Sequence, residues 1–150
     1  MRLAIASDHA AFALKSELAE WLRAAGHDVA DLGPDDTSSV DYPDYGYALA
    51  ACVAAGEADF GVALCGSGIG ISIAANRHPG CRAALVSEPL SARLAREHND
   101  ANVIALGARL TGSDMARACI EAFLTTQFAG DRHVRRVGKL SHPPVLETPA

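Results

Sequence analysis

A layered α/β sandwich, one parallel sheet with helices on both faces, is the fold class that this sequence predicts. Two observations carry the prediction. Short apolar runs of strand length alternate with longer segments of helical periodicity along most of the chain. Glycines and other turn residues stand at many of the junctions, so each run is followed by a crossover long enough to lay the next run parallel to it.

Residues 3–7 are a short apolar run suited to a buried strand. Residues 10–25 carry Phe12, Leu14, Leu18, Trp21 and Leu22 at mostly helical spacing, and Gly26 is the stop signal. Residues 27–32 form the second strand, and 33–45 a polar loop containing Pro34 and Pro43. Residues 46–55 are alanine-rich and helical, closed by Gly56. Residues 60–64 are the third strand, and 69–76 open the next helix. Residues 83–86 are the fourth strand, and 88–97 a helix with Pro89 tolerated in its first turn. Residues 102–106 are the fifth strand, and 113–128 a long helix with Ser113 as N-cap and Gly130 past its end. Right-handed crossovers restrict these elements to a Rossmann-like, doubly wound, five-stranded parallel sheet with helices on both faces. A strand order of 2-1-3-4-5 makes the first and third strands neighbours at the switch point.

The 150 residues fit one domain. The chain is 49% hydrophobic but only 5% aromatic, so aliphatic side chains must build its core. The tail from about residue 129 is basic first and Pro-rich at His142-Pro143-Pro144; it either packs on a partner subunit or frays. No run of apolar residues is long enough for a membrane span. The first residues turn acidic too soon for a signal peptide, which points to the cytoplasm. Of the cysteines, Cys52, Cys65, Cys81 and Cys119, no two form a C-x-x-C pair, which fits reduced thiols. Cys52 and Cys119 lie in alanine-rich helical stretches and read as small core residues. A net charge of −5 argues against nucleic-acid binding. A phosphorylated small molecule would need a local basic cluster.

The run Cys65-Gly66-Ser67-Gly68-Ile69-Gly70 is the most informative stretch. It follows a strand, and backbone free of side chains can aim several N–H groups at one anionic atom. Cys65 stands next to a helix start, which favours thiolate, and a thiolate serves either as nucleophile or as general base. The bland alternative is a tight turn with a buried cysteine. The spacing is G-x-G-x-G rather than G-x-G-x-x-G, so it fits a dinucleotide fingerprint poorly. Asp8 and His9 follow the first strand and face the same crevice; as alternatives, Asp8 is a helix N-cap and His9 a loop histidine. His98 and Asn99 precede the fifth strand, at the opposite edge of the sheet from Cys65. A catalytic His98 therefore has to come from a second subunit; the alternative is a helix-capping His98, with Asn99 or Asn102 in a left-handed turn. Arg132 and Arg136, four residues apart, share a face of any helix formed there and suit a phosphate, as does Arg109. The alternative is a solvated basic helix. No metal-ligand spacing is present, so a metal-free site is expected.

Taken together, Ser7-Asp8-His9-Ala10-Ala11-Phe12, Asp41-Tyr42-Pro43, the stretch from Cys65 to Asn76, Glu97-His98-Asn99-Asp100-Ala101-Asn102-Val103 and Arg132-His133 resemble the type B ribose-5-phosphate isomerases. That family also includes isomerases of allose and galactose 6-phosphates. The resemblance implies a cofactor-free aldose–ketose isomerase of the pentose phosphate pathway acting on a sugar phosphate, as a homodimer or homotetramer. Cys65 then abstracts the C2 proton to give a cis-enediolate, and the backbone amides from Gly66 to Gly70, those of Gly68 and Ile69 included, stabilise its oxygen. Ser67 shuttles protons between O1 and O2, and His98 opens the furanose ring. Asp8, His9 and Asn99 contact the sugar, while Arg109, Arg132 and Arg136 bind the phosphate. Some relatives place a carboxylate base where this chain has Ile71, so the thiol version is indicated. The competing readings are a six-carbon sugar-phosphate isomerase, a nucleotide-binding domain, and a thiol-redox or cysteine-hydrolase role.

Overall fold

A computed structural model describes residues 1–145. In chain order the elements are β1 (Arg2–Ser7), a 3-10 turn (His9–Ala11), α1 (Phe12–Ala24), β2 (Asp28–Asp31), α2 (Tyr42–Ala54), β3 (Phe60–Cys65), α3 (Ile69–Ala75), β4 (Ala83–Leu85), α4 (Pro89–Asn99), β5 (Val103–Gly107), α5 (Ser113–Thr125) and α6 (Arg132–Ser141). The five strands pair in parallel, in the order β2-β1-β3-β5-β4. The doubly wound α/β sandwich is therefore as expected, but the last two strands exchange places. The reason lies in their burial. All five residues of β5 are buried, whereas β4 has three residues and none is buried. A strand covered on both faces takes the interior position. β1 and β3 remain neighbours, in register from Leu3 with Phe60 to Ser7 with Leu64, so the switch point between them stands.

Side chains alternate across the sheet with period two. Leu3, Ile5, Val62, Leu64, Ile104 and Leu106 join Leu18, Leu22, Ile120 and Phe123 in the layer under α1, α4 and α5. Ala4, Ala6, Ala63 and Ala105 line the opposite face, under Leu49, Val53 and Ile71 of α2 and α3. The small residues let those two helices lie close to the sheet. α2 also lies close to α3: a Cβ added at Gly46 would sit 2.9 Å from the Ala74 Cβ.

Local boundaries depart from expectation in three places. α2 starts at Tyr42, before the expected residue 46, because Pro43 preorganises its first turn. Gly112, not Ser113, precedes α5, and the Ser113 hydroxyl instead donates to Glu17 at 2.9 Å. The left-handed residue closing α4 is Asp100 (φ 45°), rather than Asn99 or Asn102. The basic segment after residue 129 is helical as α6, and the end of the Pro-rich tail falls outside the described residues. No described helix is long and apolar enough to cross a membrane.

Two polar devices secure the loops and the edge. Lys15 is 1% exposed, and its ammonium donates to both Asp31 carboxylate oxygens (2.6 and 2.8 Å) and to the Pro34 carbonyl (2.8 Å). It thereby ties α1 to the loop leaving β2. Lys15→Met should cost about 2 kcal/mol of stability, since it leaves a half-buried carboxylate without its partner; a chemical denaturation midpoint equal to the parent's would count against this. At the other edge, the Asn76 side chain donates to the Ala83 carbonyl (2.9 Å) and accepts from the Ala83 N–H (2.7 Å). A side-chain amide thus occupies the outward-facing hydrogen-bonding groups of Ala83, the first residue of β4.

Candidate active site

The carboxyl edge of the sheet carries one cluster. β3 ends at Cys65, which is 4% exposed and points to the α2–α3 face. The chain then folds over the sulfur: Gly68, in a left-handed conformation (φ 77°), turns its N–H back onto Cys65 Sγ at 3.1 Å. Only glycine fits there, because a Cβ at Gly68 would lie 2.6 Å from Leu85 and 2.7 Å from the Leu106 backbone. The Ile69 N–H donates to Ser67 Oγ at 3.2 Å. Among the described residues, the N–H groups of Gly66, Ser67 and Gly70 meet no acceptor. The turn therefore spends two amides on its own shape and leaves three for an anionic oxygen.

Asp8 lies beside this turn, because its N–H donates to the Leu64 carbonyl at 3.2 Å. It is 7% exposed, and one carboxylate oxygen caps the 3-10 turn by accepting from Ala10 and Ala11 (3.0 and 3.3 Å). The helix-capping alternative is thus realised, yet the second oxygen stays without a partner among the described residues. His9 Nδ1 accepts from the Val40 N–H at 3.1 Å. A neutral His9 consequently carries its proton on Nε2, a donor aimed away from the loop that holds it. Arg109 is exposed and anchored by its N–H to the Gly66 carbonyl at 3.0 Å. Its guanidinium lies 3.2 Å from where a Gly66 Cβ would be. Tyr42, given no role from the sequence, packs its ring against Gly70, where a Cβ would come within 2.6 Å of it. The signal was available: Tyr42 opens α2 in the Asp41-Tyr42-Pro43 motif. Ile71 is fully buried, in the same apolar layer as Cys65, and offers no proton-accepting group there.

The amino edge carries the second cluster. His98 and Asn99 end α4, and a network fixes the residues after them. Arg96 donates to the Asp100 carboxylate (2.8 Å) and the Ala101 carbonyl (2.6 Å), while Arg82 donates to the Asp100 carbonyl (2.9 Å) and carboxylate (3.2 Å). α6 returns onto α4 through Gly130 (φ 67°) and Asp131 (φ 47°). His133, the one buried residue of α6, stacks on His98 with centroids 4.5 Å apart and planes 12° off parallel. Arg132 and Arg136 are exposed on the same helix. Among the described residues, neither they nor Arg109 pairs with a carboxylate.

The two clusters face away from each other. Cys65 is in register with Gly107, and β5 climbs about 13 Å from Val103 to Gly107 at ~3.3 Å per residue. Asp8, His9, the residues from Cys65 to Gly70, and Arg109 therefore lie at one edge, and His98, Asn99, Arg132 and Arg136 at the other. Among the described residues, no group of His, Cys, Asp and Glu is placed to hold a metal ion.

Burial pushes the Cys81 thiol up to about 12 and also raises Cys52 and Cys119, so these three stay protonated near neutrality. His133 titrates below the ordinary histidine range, chiefly because burial disfavours its charged form, then because His98, Arg132 and Arg136 repel it. The unfolded chain then binds the proton more readily, so stability held above pH ~6.5 is lost as pH falls towards the depressed value. The melting temperature of the parent should accordingly fall more between pH 7 and pH 5.5 than that of His133→Phe. Equal slopes in the two proteins would contradict this.

Comparison with known proteins gives a consistent picture. A family model for ribose/galactose isomerases matches residues 3–140. Ribose-5-phosphate isomerase B of Escherichia coli is 45% identical over 136 residues, covering 91% of each chain. The putative sugar phosphate isomerase YwlF of Bacillus subtilis is 44% identical, covering 94% of this chain and 95% of the relative. The galactose-6-phosphate isomerase subunit LacB of Clostridium acetobutylicum is 44% identical, covering 85% of this chain and 74% of the relative. Among solved structures, ribose-5-phosphate isomerase B of Clostridium thermocellum superposes with a TM-score of 0.93 at 48% identity, covering 94% of this chain and 95% of that one.

Proposed function

The chain belongs to the ribose/galactose isomerase family, and on that footing we propose that it is a cofactor-free aldose–ketose isomerase interconverting ribose 5-phosphate and ribulose 5-phosphate. The observation that carries this reading is the turn over Cys65, where a sulfur accepting from the Gly68 N–H shares one corner with the free amides of Gly66, Ser67 and Gly70. A C–H bond beside a carbonyl is a very weak acid until the oxygen is stabilised. Here the Cys65 thiolate takes the C2 proton while the amides receive the charge that develops on oxygen, and the same sulfur returns the proton to C1. Ser67 relays the hydroxyl proton between O1 and O2. The base is expected to contribute about 10²–10⁴ in rate, and each oxyanion donor about 10²–10³. Asp8 and His9 hold sugar hydroxyls, and Arg109 faces the anionic end.

Two copies of the chain complete the site. His98, Asn99, Arg132 and Arg136 of one subunit enter the Cys65 corner of its partner, His98 opening the furanose ring and the arginines holding the phosphate. The separation of the two clusters along the sheet supports this sharing. Mixing Cys65→Ala with His98→Asn tests it: reassembled hybrids contain one site with both residues intact, so activity should return to roughly a quarter of the parent's. No recovery after subunit exchange would defeat the sharing. The reaction belongs to the pentose phosphate pathway and suits a cytoplasmic enzyme.

A second reading, a six-carbon sugar phosphate as substrate, is favoured by the likeness to the LacB subunit. A coupled assay with ribose 5-, allose 6- and galactose 6-phosphates, with and without chelator, decides between them. Ribose 5-phosphate should give the highest kcat/KM, unaffected by chelator. Turnover confined to six-carbon sugars would reverse the assignment.

A further inference from the structure

We infer that His133 is a positioning residue for His98, holding the ring plane of the acid/base by stacking. The inference rests on the functional reading above and extends it to a residue outside the set assigned to the reaction. Among the described residues, neither ring nitrogen of His98 has a hydrogen-bond partner. An acid/base histidine is ordinarily oriented by a group on its second nitrogen. Here that group is missing, and a parallel ring at 4.5 Å stands in its place. Stacking leaves both nitrogens of His98 open, as a group that must take and return a proton to a sugar ring oxygen requires.

The surroundings serve the same end. His133 is 8% exposed, the one buried side chain on a helix whose other residues are exposed or half-buried. The chain reaches it by a constrained route: Ala129 donates to the Glu97 carbonyl at 3.0 Å, and Asp131 holds a positive φ of 47°, a strained conformation for a non-glycine residue. From α4, His133 faces His98; from its own helix and lead-in it feels Arg132, Arg136 and Asp131. Burial, and then the neighbouring His98, Arg132 and Arg136, disfavour the charged form of His133, which suits it to a role as a flat stacking partner.

The test uses His133→Ala and His133→Phe in the full-length protein. The expected results are a kcat on ribose 5-phosphate about tenfold to a hundredfold lower in H133A, with KM changed less than threefold, and recovery to within about threefold in H133F, whose flat ring restores the stack. The His98 ring-proton NMR signals should be shifted upfield by ring current in the parent and in H133F, and relax in H133A. An unchanged kcat in H133A overturns the inference. So does a stacked but equally impaired H133F. A parent that ignores ribose 5-phosphate overturns the functional reading instead, while the ring-current measurement still decides whether the stack orients His98.

Discussion

Cys65→Ala should lower kcat for ribose 5-phosphate by about 10²–10⁴, with a melting temperature close to the parent's. The thiol is buried at 4% exposure, but its one hydrogen bond is the 3.1 Å contact from the Gly68 N–H. Removing a single sulfur there gives up one N–H···S contact, while the Ser72 N–H still donates to the Gly68 carbonyl and the Arg109 N–H to the Gly66 carbonyl, so stability changes little. No other thiol can substitute, because burial holds Cys81 near 12 and raises Cys52 and Cys119. Cys65→Ser separates base from scaffold. A hydroxyl can accept the same N–H, yet it is far too weak a base near neutral pH. Near-parental turnover by Cys65→Ser, measured by coupled spectrophotometry, would show that the proton goes elsewhere.

Gly107→Ala should also cost about 10² in kcat, from a residue assigned no contact with the sugar. A Cβ at Gly107 would stand 2.5 Å from the Ser67 carbonyl oxygen and 2.6 Å from its carbon, against about 3.4 Å for ordinary contact. Both partners are backbone, so the collision can be relieved only by lifting the turn roughly 1 Å from β5. A displacement of that size in a preorganised site is worth about a hundredfold. The Ser67 amide and hydroxyl would move with it, while the sulfur, fixed in β3, would stay. The strain should also remove about 1–3 kcal/mol of stability. A variant with full kcat and a lowered melting temperature would show that the turn tolerates the shift, contrary to the expected role of its amides.

Much of this site could be read from residue order. A strand running into a cysteine and three alternating glycines fixes the corner, and Asp8 follows a strand that pairs directly with it. The opposite location of His98 follows from its place before a strand rather than after one. Other features are set by tertiary contacts that no local pattern displays. The exchange of β4 and β5 is one: both are apolar and short, and only the full burial of Val-Ile-Ala-Leu-Gly on two faces distinguishes them. The pairing of His98 with His133 joins residues 35 positions apart, through a reversal at Asp131 that sequence gives little reason to expect. The engagement of the Gly68 and Ile69 amides within the turn is another. Five candidate donors become three free ones, a distinction of orientation that glycine spacing leaves open.

The Asn76 amide that clasps Ala83 has a consequence for colloidal behaviour. An open strand invites recruitment of like strands and, with repetition, fibre growth. On this flank the rung at Ala83 is already filled by a side chain and the strand is only three residues long, and the opposite flank is a four-residue strand with an aspartate at each end. Self-association of the proposed kind is thereby steered away from endless sheet extension and towards helical surfaces.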